Sequence, residues 1–131
     1  MKEEYLNELT QLSNKFKENS IRLKNEGAND EAVFETIKAN VCDIFTTLFE
    51  VSYTKSFVNP TNTEENYRKL NSTYNDFFNK IPAPWKEKMA KDKENNMFEE
   101  FHKEELKLET VGHIRELYEK CYNKYYKGEQ K

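Results

Sequence analysis

The stretch EEFHKEE, residues 99 to 105, holds the residues whose types and spacing come nearest to chemistry. Glu99 and His102 stand three apart in a segment of helical periodicity. Di-iron helical bundles use that spacing to present a carboxylate and an imidazole to a metal pair. Such a centre also needs a second Glu-x-x-His and a further Glu from each of two more helices. The chain has two histidines, and Thr110 stands three positions before His113, so the second pair does not exist. A straight helix would hold His102 and His113 about 16 Å apart, and one ion with ligands at ~2 Å cannot bridge them. Glu99, His102 and His113 thus remain metal candidates by type only, and no cofactor is expected.

Direction and local bonding give these residues other work. On a helical wheel, Met97, Phe98, Phe101 and Leu108 gather about 100° to one side of His102, and Glu99 lies about 60° to the other. That predicts a core side through the four apolar residues, with Glu99 turned away and Leu106 as the exception. Asn96 and Glu99 have the spacing of a capping box at a helix start. Glu99, Glu100, Glu104 and Glu105 alternate with Lys103 and Lys107 in ion-pair spacings, which predicts a solvated face rather than an acid/base pair. Cys121 has no base within reach, since His113 is about two turns away on another face. No nucleophile motif, phosphate loop or glycine-rich turn occurs, so catalysis has no positive support.

A second constellation is aromatic. Tyr118, Tyr122, Tyr125 and Tyr126 crowd the end of the chain's last long periodic segment, and Tyr53 with Phe57 ends an earlier one. Tyrosine suits places with one apolar and one wet side, so the four mark either the bundle's end or a partner surface.

The elements that must position these residues are long and few, because glycine and proline are scarce: Gly27, Gly112, Gly128, Pro60, Pro82 and Pro84. A seam of Tyr5, Leu9, Leu12, Phe16 and Leu23 predicts a first helix over 2–26, with Gly27 as its left-handed cap and Asn29 or Asp30 capping the next. Residues 30–57 carry a broad apolar arc, Val33, Phe34, Ile37, Val41, Ile44, Phe45, Leu48 and Phe49. That arc predicts a central helix with Ile37, Val41, Ile44 and Leu48 nearly fully buried. Asn62 and Glu65 form a capping box for a third helix over 62–80, with a seam of Tyr67, Leu70, Tyr74, Phe77 and Ile81. IPAP stops it, and a short helix over 84–93 turns Trp85 and Met89 inward. KDKENN should loosen the chain before a last helix over 97–127, whose second half has the cleanest heptad: Val111, Ile114, Tyr118, Cys121 and Tyr125. Between its halves the apolar direction drifts by roughly 100°, more than supercoiling supplies. A bend near Gly112 or two faces with different neighbours would explain the drift. The second option would leave part of the tyrosine end to a symmetric dimer.

The fold class is therefore all-α: a single-domain antiparallel bundle of four long helices plus one short helix. A chain of 131 residues fits one core, and a composition 34% charged, 36% hydrophobic and 14% aromatic suits amphipathic helices better than disorder. The net charge of −3, with both signs interspersed, shows no basic stripe, so no nucleic acid is expected. No stretch approaches the ~20 apolar residues that span a bilayer, and MKEEYLNEL lacks a signal peptide's apolar run. With Cys42 and Cys121 as lone thiols, and Lys and Asn usage typical of an AT-rich genome, a bacterial cytoplasmic protein is expected. Two function classes follow. One is a non-enzymatic interaction protein: an adaptor, an immunity or antitoxin-like partner, or a self-associating homodimer. The other is a bundle holding a small ligand or metal between helices, and possibly an enzyme.

Overall fold

The computed structural model describes residues 1–127. They form five α-helices, α1 (Lys2–Asn25), α2 (Asn29–Ser56), α3 (Thr63–Lys80), α4 (Ala83–Glu94) and α5 (Phe98–Tyr122), and a π-helical turn, Asn123–Lys127. No strand occurs among the described residues. The expected all-α bundle of long helices with one short element is the architecture observed.

Cross-helix contacts fix the directions. Tyr5 meets Phe49 and Ser20 meets Thr36, so α1 and α2 run antiparallel. Phe49 meets Tyr74 and Phe45 stacks on Phe78, so α2 and α3 do too. Phe78 and Tyr67 of α3 meet Tyr118 and Tyr126, and Trp85 of α4 lies under Lys107, so α3 and α4 both oppose α5. The pair α3–α4 thus acts as one ascending arm broken at Ile81–Pro82, and the bundle reads up, down, up, down. The break is the proline's: Pro82 cannot donate, and α4 restarts when Lys86 N–H donates to the Pro82 carbonyl.

The turns follow backbone chemistry. Gly27, at φ 81°, ends α1 as expected: its N–H donates to Lys24 O and that of Ala28 to Leu23 O. These are the two bonds of a Schellman cap. Asn62 Oδ1 accepts from Glu65 N–H, the expected cap of α3. Two expected caps are corrected. The N-cap of α2 is Ala28, with Asn29 and Asp30 already helical. Asn96 does not cap Glu99; at φ 58° it ends α4, with Asn96 N–H donating to Lys93 O and Met97 N–H to Asp92 O. The same Schellman pattern that Gly27 builds is made here by Asn, the residue that best tolerates the left-handed region after glycine. KDKENN therefore stays helical through Glu94 and turns tightly.

The core is a block of rings. Tyr5, Phe45, Phe49, Tyr74, Phe78 and Tyr118 are all buried, with neighbouring centroids such as Tyr74–Tyr118 and Tyr74–Phe78 at 4.8 Å. Their hydroxyls are satisfied inside: Tyr74 donates to Phe45 O at 3.1 Å, so Tyr5 donates to Tyr74 at 2.6 Å, and Tyr118 donates to Asn71 Oδ1 at 2.9 Å. Burial pushes all three phenols well above the usual tyrosine range.

Candidate functional site: the outer face of the second helix

The residues singled out for chemistry do not converge. Glu99 is exposed, and His102 is exposed with Nδ1 3.4 Å from Glu105 Oε1 rather than near Glu99. The His102 ring stands edge-on to Phe34 of α2 at 4.9 Å, which gives it a packing role. His113 is exposed on α5. Among the described residues, no group of three or more His, Cys, Asp and Glu is placed to hold an ion. Cys42 and Cys121 are free and buried. Burial, with Asp43 alongside, pushes the Cys42 thiol up to about 12, and burial with Glu8 pushes Cys121 up to about 11. Thiols so poised carry almost no thiolate and are poor nucleophiles.

The expected core side of the first half of α5 holds only in part: Phe101 and Leu108 are half-buried, but Met97 and Phe98 are not. Phe98 is 68% exposed and Met97 49%, because the left-handed turn at Asn96 brings them in at the helix mouth, beyond its neighbours' cover. The buried residues are Leu106, the apparent exception, and Glu104, only 2% exposed. Glu104 Oε1 lies 3.2 Å from Lys107 Nζ and 3.6 Å from Lys88 Nζ, and Oε2 has no hydrogen-bond partner. Lys88 also reaches Asp92 at 2.9 Å and Glu100 at 3.6 Å. The solvated face expected for 99–105 is thus partly an ion cluster closing α4 onto α5. Wheel reasoning missed it because alternating charges look the same whether a second helix covers them or not.

The tyrosines resolve similarly. Tyr118 and Tyr122 are buried, and Tyr125 and Tyr126 are half-buried. Tyr126 lies 5.4 Å from Tyr67, and Lys124 pairs with Glu4 of α1 at 3.0 Å. The drift along α5 arises because its first half packs on α4, with His102 against Phe34 of α2, and its second half on α1, α2 and α3. α5 runs unbroken through Gly112, and Tyr118 and Tyr122 are covered from within, while Tyr125 and Tyr126 keep part of their surface open.

Ile21, Val58, Met97 and Phe98 are exposed singly or in pairs, and a longer uncovered row lies on α2. The expected buried set there was Ile37, Val41, Ile44 and Leu48. Val41 is buried, Ile37 and Leu48 are half-buried, and Ile44 is 39% exposed. The helix carries two heptad seams. The inner one, Cys42, Phe45, Phe49, Ser52 and Ser56, fills the core. The outer one places Ile37, Ile44 and Val51 at successive a positions and Val33, Asn40, Thr47 and Thr54 at d. On the wheel the two seams point roughly 150° apart. Every outer residue except Ile37 is exposed, and none is charged. A shallow depression lined by Thr47, Glu50, Val51, Thr54 and Lys55 lies on this face. The signal was present in the sequence as the breadth of the apolar arc, which was read as one wide core face instead of two.

No protein-family model, curated protein or solved structure matches the chain. The functional reading therefore rests on the molecule itself.

Proposed function

We propose that this is a non-enzymatic interaction protein of the bacterial cytoplasm, working through the outer face of α2. One observation carries the reading. In a chain 34% charged, seven successive seam positions over about six helical turns are uncharged, and five of them, Val33, Ile44, Thr47, Val51 and Thr54, present β-branched side chains to solvent. A face needed only for solubility would carry the Lys and Glu that cover the other helices. The packed rings between the helices give the competing reading, an internal ligand site, no support. Free, buried thiols support the compartment, and the AT-rich style of composition supports the bacterial source.

Site-specific photo-crosslinking in cells tests the reading. A crosslinker at Thr47 is expected to capture a protein covalently, and one at exposed Lys86 of α4 is not. Capture at neither position, or equally at both, would defeat it.

A further inference from the structure

We propose that the outer seam of α2 pairs with the same seam of a second copy of this chain, in parallel, as a two-stranded coiled coil. The inference rests on the reading of α2 as the interaction face and names its partner. Three features support it. The first is period. A straight helix drifts about 20° per heptad, so residues seven apart stay aligned only where the helix is supercoiled. The inner seam (Cys42, Phe45, Phe49, Ser52 and Ser56) and the outer a residues (Ile37, Ile44 and Val51) keep the same seven-residue period, so a single supercoil would align both. The second is residue choice. β-branched residues at every a position match the a-position choice of parallel two-stranded coils, though no d position carries their usual Leu. The depression holding Thr47, Glu50, Val51 and Thr54 has the i, i+3, i+4, i+7 pattern of a four-residue hole for a facing knob, which in register is the second copy's Val51.

The third feature is charge. Glu50 occupies g and Lys55 the following e, the positions that pair across a parallel interface. Both are exposed, and neither forms an ion pair among the described residues. Twofold symmetry supplies each pair twice, Glu50 of one copy to Lys55 of the other. Asn40, Thr47 and Thr54 at d weaken the seam, so association in the micromolar range is expected.

The purified chain is expected to sediment at twice its 15.7 kDa mass as concentration rises through about 1 to 100 μM, an affinity range of roughly −8 to −5.5 kcal/mol. Ile44→Lys is expected to abolish the dimer while leaving helical circular dichroism and melting unchanged at submicromolar concentration. Glu50→Lys and Lys55→Glu should each weaken it at least fivefold, and together restore it, because the pair is regenerated with reversed sign. Register is read by oxidation: Val51→Cys links two copies only in a parallel pairing, whereas Ile44→Cys, near the seam's midpoint, links them in either direction. A monomer throughout, no rescue by the double reversal, or linkage through Ile44→Cys alone would each overturn the proposal. A monomer that is nonetheless crosslinked in cells at Thr47 to a protein of another mass would overturn it and leave the interaction reading standing.

Discussion

Single residues in this protein divide into those whose backbone matters and those whose burial matters. Gly27 needs its missing Cβ, because φ 81° is strained for any other side chain. Gly27→Ala is expected to cost about 1–2 kcal/mol. Gly112 is exposed within α5, and an added Cβ there meets nothing within 4 Å. Gly112→Ala should therefore stabilise the chain by about 0.5–1 kcal/mol, through helix propensity alone. Denaturant midpoints of the two variants, moving in opposite directions, check both. Glu104 poses the converse question. A buried carboxylate with one unpaired oxygen loses hydration that its lysines only partly replace, so Glu104→Met is expected to be neutral or stabilising by about 1 kcal/mol. A loss above about 3 kcal/mol in urea would show instead that the ion cluster is a stabilising device of the α4–α5 pair.

At the scale of the element, α2 shows what sequence patterning could and could not deliver. Its length, its helical period and its central place were all legible, as were the narrow seams through Tyr5 and Leu9 of α1, Leu70 and Tyr74 of α3, and Val111 to Cys121 of α5. These follow from spacing alone. Which half of the broad arc on α2 faces inward was not legible, because Ile44 and Phe45 are adjacent, both apolar, and separated only by what α1, α3 and α5 cover. The cap at Asn96 was misread for a similar reason: Asn suits both a helix start and a left-handed helix end, and only the fold chooses. The seams are separable by mutation. Phe45→Ala, inside the ring block, should cost about 3–5 kcal/mol, and Ile44→Ala about 1 kcal/mol or less. Chemical denaturation at submicromolar protein, where any association is absent, measures both. Equal costs would mean that the two seams share one core.

For the whole molecule, the rings and the ion cluster make two regions of unequal strength. The lower bundle, built by α1, α2, α3 and the second half of α5, holds the aromatic block. The α4 arm contributes only Asp92 as a buried helical residue, with Trp85 and Met89 half-buried. Amides of α4 are therefore expected to exchange with solvent faster than those around Phe45 and Phe49, through an opening that leaves the aromatic block intact. The block itself sets the alkaline limit. Tyr5, Tyr74 and Tyr118 are held neutral by burial, so their folded pKa values lie above the unfolded value of about 10. Above that pH the unfolded chain loses protons that the folded chain keeps, and stability falls by up to about 1.4 kcal/mol per pH unit for each such phenol. Below it their contribution is fully present and independent of pH. Three coupled phenols make the loss steep, so unfolding is expected as a cooperative transition between about pH 10 and 12, with phenolate absorbance and loss of helical circular dichroism rising together. Replacing Tyr118 by Phe removes one such group along with its bond to Asn71, and should shift that transition to higher pH even as it lowers stability near neutrality. Phenolate absorbance that completes while the helix signal is intact would place these hydroxyls in contact with water and remove the aromatic block as the seat of stability.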